Sequence, residues 1–199
     1  MENTKVKNRR VVLASQSPRR QELLKFLFED FEVRVSDADE SLPDATPPAK
    51  AVETLALRKA RAVAADCPGA LVIGSDTVVA IDGLILGKPD DPEDAAAMLR
   101  RLSGRVHEVY TGAALCLGGR ETVFHVCTGV EFCPLSDAEI AWYLSTGEPF
   151  DKAGSYGIQG YGARYIKGVR GDYFTVMGLP VNRLYAEIGE FAKEYLTEK

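Results

Sequence analysis

The sequence predicts an α/β fold in a single domain, and three observations predict it. Residues 11–36 read as an apolar strand, a helix and an alternating strand, a β-α-β opening. The pattern then shifts to strands joined by tight turns, with Asp82-Gly83 as a hairpin dipeptide. The 199 residues are enough for one well-buried core, and no repeat, linker or low-complexity stretch divides them. The β-α start and the hairpin-rich middle are expected to form two lobes around a cleft.

In order along the chain, Val11-Val12-Leu13-Ala14 begin a short buried strand over residues 11–15. Ser17 suits an N-cap and Pro18 the first helical position, and a helix over 18–28 sets Leu23, Leu24 and Leu27 along one face. FEVRVS alternates and predicts a strand over 31–36. SDADESLPDATPP is an acidic, proline-rich loop. A helix runs from Pro48 to Ala65 with Val52, Leu55, Ala56, Lys59 and Val63 near one stripe. ALVIGSD is an apolar run stopping at Asp76, and TVVAIDGLIL reads as two further strands. PEDAAAMLRRL, residues 92–102, is a helix with acids in its first turn and arginines in its last, as the helix dipole favours. Strands over 106–117 and 121–133 flank Gly118-Gly119. Ser136-Asp137-Ala138-Glu139 is a capping box opening a helix through Leu144. A polar Gly-rich loop, TGEPFDKAGSYGIQGYGAR, leads to a hairpin over 164–177 and a closing helix over 181–196.

Composition narrows the function classes. Hydrophobic residues make up 46% and charged residues 27%, an ordinary globular balance. A net charge of −5 argues against general nucleic-acid binding, which needs clustered Lys and Arg. No stretch reaches the roughly 18 apolar residues of a membrane span, and MENTKVKNRR carries no signal-peptide core, so a cytoplasmic location is expected. Cys67, Cys116, Cys127 and Cys133 contain no C-x-x-C pair and are expected to be reduced, with the three in strand-like segments buried. His107 and His125 are the only histidines and no G-x-S-x-G is present, which leaves a Ser/His/Asp hydrolase unsupported; a Walker-type loop is absent too.

The charges break the dipole rule at Arg19 and Arg20, two cations in the first turn of a helix. A bound anion removes that cost: first-turn N–H groups and two guanidinium forks make a phosphate cradle, the alternative being a capped helix with solvated arginines. Asp76 ends a buried run, at the carboxyl edge of a strand where ligands bind in α/β sheets; the alternative is an ordinary turn aspartate. Phosphates and carboxylates in one cleft imply a hard divalent cation, usually Mg²⁺. Glu40 competes with Asp37 and Asp39 to supply a second carboxylate, or all three are solvated loop acids. Lys59 either aims its amine at the cleft or snorkels. Lys88, held by Pro89, suits a phosphate or a plain turn. Both lysines are taken as exposed cations whose removal barely changes folding stability. DKAGSYGIQG sets Lys152, Tyr156 and Gln159 among glycines that let backbone approach a ligand, and the Gln159 amide can read a base edge; the alternative is a mobile surface loop.

LASQSPRRQELL, GSDTVV, GKPDDPEDAAAMLRRLSG, HEVYTG and EPFDKAGSYGIQG resemble, in order and spacing, the motifs of the Maf family of nucleoside triphosphate pyrophosphatases. The resemblance covers about residues 11 to 185. It implies a single α/β domain across 1–199, with a long mixed twisted sheet flanked by helices, similar to inosine triphosphate pyrophosphatases. It implies hydrolysis of a nucleoside triphosphate to the monophosphate and pyrophosphate with a divalent metal, Mg²⁺ or Mn²⁺. On that resemblance Asp76 is the catalytic acid, and Arg19, Thr77 and Gln159 govern substrate choice. Ser15, Arg20, Lys59 and Lys88 contact phosphates, and Asp76 and Glu40 hold the metal. The Y-G-I-Q-G wording with Arg19 and Thr77 resembles the branch acting on dTTP and UTP, with clearance of non-standard nucleotides a further role. The alternatives are the 7-methyl-GTP branch and a non-enzymatic, nucleotide-sensing regulator of septum formation. The implied partner is the triphosphate itself, with no nucleic acid and no membrane, and assembly as a homodimer is left open.

Overall fold

The computed structural model describes residues 9–197, with side chains through Phe191. Of the basic stretch ahead of Val11, residues 1–8 lie outside the described part. Strands β1 (Val11–Leu13), β2 (Glu32–Val33), β3 (Leu71–Ile81), β4 (Leu84–Leu86), β5 (Val106–Leu117), β6 (Arg120–Phe132) and β7 (Ile166–Arg170) form one mixed sheet in the order β2-β1-β3-β5-β6-β7, with β4 beside β3. β1 runs parallel to β2 and β3, and the other pairs are antiparallel. Helices α1 (Pro18–Leu24), α2 (Pro48–Ala65), α3 (Pro92–Leu102), α4 (Asp137–Ser145), α5 (Tyr173–Met177) and α6 (Val181–Thr197) cover its faces.

Alternation along β3 sorts the packing. Leu71 and Ile73, with Ala113 and Leu115 of β5, meet α1, α5 and α6 in one apolar core. Val79 and Ile81 on the same side meet α3, α4 and Tyr156 in a second. Between these cores the same face carries Ser75, Thr77 and Thr111, so a polar seam separates the two cores. The opposite face carries Val72, Ala114 and Cys116 against Ala56, Ala60 and Val63 of α2.

Several elements depart from the sequence expectation. β3 is one strand of 11 residues rather than a run ending at Asp76, because β5 pairs with it from Val72 to Ala80 without interruption. β2 shrinks to two exposed residues: β1 ends at Leu13, whose carbonyl accepts from the Arg34 amide, and nothing further remains to pair with. α1 stops at Leu24, where bonds from Phe26 to Leu23 and from Leu27 to Leu24 tighten the chain. Ser17 makes no side-chain cap; the Ser15 hydroxyl takes the Ser17 amide instead. The expected hairpin over 164–177 is a strand followed by a helix, because the Asp172 carboxylate accepts from the amides of Phe174 and Thr175 and caps α5. Cys127, expected buried, is exposed on β6, while Cys67 and Cys116 are buried and all four cysteines are free. Burial pushes the Cys116 thiol up to about 11.

Candidate active site

β3 has a full partner on one edge only. β1 pairs with it through Ile73 and β4 from Val79, both on the edge opposite β5, so the five residues 74–78 face an opening in the sheet. Asp76 and Thr77 sit at its middle. The carboxyl edge that organises the site is therefore that of β1, since β3 runs on past Asp76.

Asp76 points toward α2. Gly74 and Gly112 let that helix lie flat on the strands: a Cβ at Gly74 would overlap the Ala56 carbonyl, and one at Gly112 the Val52 carbonyl. One turn on from Ala56, Lys59 reaches down and its ammonium lies 2.6 Å from Asp76 Oδ1 and 2.9 Å from Glu40 Oε1. The Lys59 and Asp76 side chains are each 12% exposed, whereas Glu40 is 62% exposed. Glu40 is brought there by its neighbours, because Arg58 donates to the carbonyls of Asp39 (3.1 Å) and Ser41 (2.6 Å) and holds the acidic loop on α2. Asp39 is spent on a local turn, accepting from the Ser41 amide and hydroxyl.

Thr77 points to the other face, where Arg20 is held at three points. Its Nε donates to the Gly178 carbonyl at 2.9 Å, one terminal nitrogen to Ser15 Oγ at 3.3 Å and the other to Thr77 Oγ1 at 3.2 Å. Burial lowers the Arg20 pKa, against the nearby charge of Asp76. That charge links the two sides of the opening. Thr77 Oγ1 lies 2.9 Å from Thr111 Oγ1, and Thr111 donates to the Thr175 carbonyl at 2.7 Å. Gly178, at φ 111°, turns its carbonyl to take both Arg20 and the Ser75 hydroxyl.

Gln159 is exposed on the Gly-rich loop, which is built rather than slack. The Glu148 carboxylate accepts from the Tyr143 hydroxyl (2.7 Å) and from the amides of Tyr161 (2.8 Å) and Gly162 (3.0 Å), while Tyr143 takes the Gly157 amide. Burial alone would raise the Glu148 pKa, but these donors and Lys152 hold it below its usual range. Lys152 is bound to Glu148 O and Asp151, and Tyr156 is a core residue joined to His107 Nε2 at 2.8 Å. Lys88 is exposed, and the Gly87 carbonyl before it accepts from the Gly154 amide, tying its turn to the loop. Burial alone would raise the Asp151 carboxyl, but Lys152 and, after it, the nearby charge of Arg19 hold it below its usual range. Asp76, Lys59, Glu40, Arg20, Ser15 and Thr77 thus meet at one opening, while Lys88 and Gln159 are exposed on the β4–α3 turn and the Gly-rich loop, with no described side-chain contact to that opening. Thr111, Glu148 and Arg58 went unread in sequence. Thr111 sat within HEVYTG and Glu148 within EPFDKAGSYGIQG, but neither shows its partner until the chain folds.

Two carboxylates converging on one ammonium are a donor set that fits a hard divalent cation. No group of three His, Cys, Asp or Glu gathers among the described residues, so oxygens of a ligand and water would complete the shell. No helix among them is long and apolar enough to cross a membrane.

The profile of the family described as Maf-like protein matches residues 10–191. A dTTP/UTP pyrophosphatase of Symbiobacterium thermophilum is 52% identical over 187 residues, covering 94% of this chain and 96% of that one. Proteins of the same description from Salinibacter ruber and Moorella thermoacetica are each 54% identical, covering 88% and 86% of this chain and 87% and 90% of theirs. Among solved structures, the Staphylococcus aureus Ham1 protein is similar with a TM-score of 0.50 and 18% identity, covering 79% of this chain and 80% of that one; this likeness concerns the fold alone.

Proposed function

The chain belongs to the Maf-like protein family, and on that premise we propose that it hydrolyses dTTP and UTP between the α and β phosphates, releasing the monophosphate and pyrophosphate. The observation that carries this is Asp76, paired with Lys59 and Glu40 in an opening of the sheet. The description shared by relatives 52% and 54% identical supplies the substrate class. Asp76 takes a proton from the attacking water as the water oxygen adds to phosphorus and the bridging P–O bond breaks toward pyrophosphate. Lys59 holds the two carboxylates together before substrate arrives. Ser15 accepts both of its described bonds, so its hydrogen is available to a phosphate oxygen. Arg20, Lys59 and Lys88 offset phosphate charge, and positioning with charge stabilisation is most of phosphoryl-transfer catalysis. Asp76 and Glu40 would hold Mg²⁺ or Mn²⁺, which supplies further neutralisation of that charge. Arg19, Thr77 and Gln159 select the base. The substrate in this proposal is a free nucleotide in the cytoplasm rather than nucleic acid, in keeping with the net charge of −5.

Pyrophosphate release from equimolar dTTP, UTP, dCTP, ATP and 7-methyl-GTP tests this. Wild type should prefer dTTP and UTP, and Asp76→Asn should lose at least about a hundredfold in turnover with the fold intact. Retention of more than about a tenth of the activity, ~1.4 kcal/mol of barrier, would remove Asp76 from catalysis. Preference for 7-methyl-GTP would move the chain to the other branch, and absence of turnover would favour a nucleotide-sensing regulator.

A further inference from the structure

Two hydroxyls share the Arg20 guanidinium, and their remaining hydrogen-bonding capacity is opposite. Ser15 accepts from Arg20 and from the Ser17 amide, which leaves its hydrogen free. Thr77 also accepts from Arg20 but has a second bond, to Thr111. A carbonyl cannot donate, so the single hydrogen of Thr111 is committed to Thr175 O. The bond between the two threonines therefore has Thr77 as donor, and the order runs from Arg20 through Thr77 and Thr111 to the Thr175 carbonyl. Thr111 is fully buried and makes no other described bond, so nothing competes for its lone pair. Thr77 is left with a lone pair and no hydrogen to offer.

We propose that Thr111 is a specificity-positioning residue: by taking the Thr77 hydrogen it makes Thr77 an obligate acceptor toward the base. This rests on the assignment of Thr77 to base selection. An acceptor at that point favours the N3–H of uracil or thymine and opposes cytosine, whose N3 is itself an acceptor. Two facing acceptors leave both unpaired, the kind of mismatch that excludes a wrong substrate more sharply than a misfit of shape. The other donors of Arg20 and the hydroxyl of Ser15 face the opposite demand, that of phosphate oxygens.

Thr111→Val keeps the shape and β-branching of the strand residue while removing the hydroxyl. Thr77 is then free to rotate its hydrogen toward a base acceptor, so the UTP-to-CTP ratio of kcat/KM should fall by about tenfold, the scale of one hydrogen bond's worth of discrimination. Part of that fall should be a gain with CTP, which a merely weakened fold would not produce. Thr111→Ser should keep the wild-type ratio. Adding Thr111→Val to Thr77→Val should change the ratio no further, since the effect passes through Thr77. An unchanged ratio in folded Thr111→Val, or equal losses with every substrate, overturns the proposal. If Thr111→Val does not fold, wild type supplies the test: it should turn over UTP well and N3-methyl-UTP at least about tenfold less efficiently, a gap that Thr77→Val narrows. Equal use of both by wild type would overturn it. A wild type that lacks any preference for dTTP and UTP would instead refute the substrate assignment, before any variant is compared.

Discussion

Lys59 and Lys88 carry the same charge and were both read from sequence as exposed cations, yet they stand in unlike surroundings. Lys88 is exposed on a turn after β4, whereas the Lys59 side chain is only 12% exposed and lies 2.6 Å from a carboxylate that is equally covered. Removing Lys59 leaves the Asp76 charge, on a side chain only 12% exposed, without its closest described partner. Lys59→Met should therefore abolish most turnover and also cost about 2 kcal/mol of folding stability, a drop of several degrees in Tm. Lys88→Met should weaken turnover while leaving Tm unchanged within error, because an exposed charge without a buried partner contributes little. Calorimetry on the two variants separates these roles, and an equal Tm for both would return Lys59 to the status of a surface cation.

At the scale of the element, the site depends on how closely α2 lies on the sheet. Gly112 faces the Val52 carbonyl with no room for a Cβ, so Gly112→Ala must lift the helix or bend the strand. The cost should be about 1–3 kcal/mol in chemical denaturation, with turnover falling further than stability because Lys59 moves with the helix. A variant with normal kcat/KM would show that helix placement and chemistry are uncoupled. Elements with local signatures were legible in sequence: the capping box at Ser136 closes on Glu139 in both directions, the Asp91 side chain caps α3, and β5 and β6 pair along their full length. Elements decided by long-range pairing were not. Nothing in FEVRVS shows that β1 will end at Leu13, and nothing in LVIGSDTVVAI shows that β5 will carry the strand past its acid. The same holds for the site. Asp76 was found for its place at the end of an apolar run, which turned out to be mid-strand, and the opening beside it is a property of two neighbours that stop short. Thr111 and Glu148 act on partners 34 and 13 residues away, beyond any local pattern.

For the molecule as a whole, the second core contains a buried titratable group. His107 is 1% exposed, packed edge-on against Phe132 and Tyr156, and its Nδ1 has no hydrogen-bond partner among the described residues. Burial pushes its imidazole down from 6.5 to about 4. Between those values the unfolded chain binds a proton that the folded chain refuses, so stability is present above about pH 6.5 and is lost as pH falls toward about 4. The loss is of order 3 kcal/mol. His107→Phe keeps a ring in place and removes the titration, so its stability in urea should decline less than wild type's between pH 6.5 and 4.5, the window set by burial of the imidazole. Parallel declines would assign the acid sensitivity elsewhere. The opening beside Asp76 has one more consequence. Residues 74–78 are an unpaired strand edge, the kind of surface on which a second chain can add a strand and begin an aggregate. Here that edge is recessed between β1 and β4 and bordered by the cations Arg20 and Lys59, so an incoming backbone would have to displace charges that already have partners. The cations proposed to meet a small, anionic visitor are thus the same charges that a strand-adding backbone would have to displace.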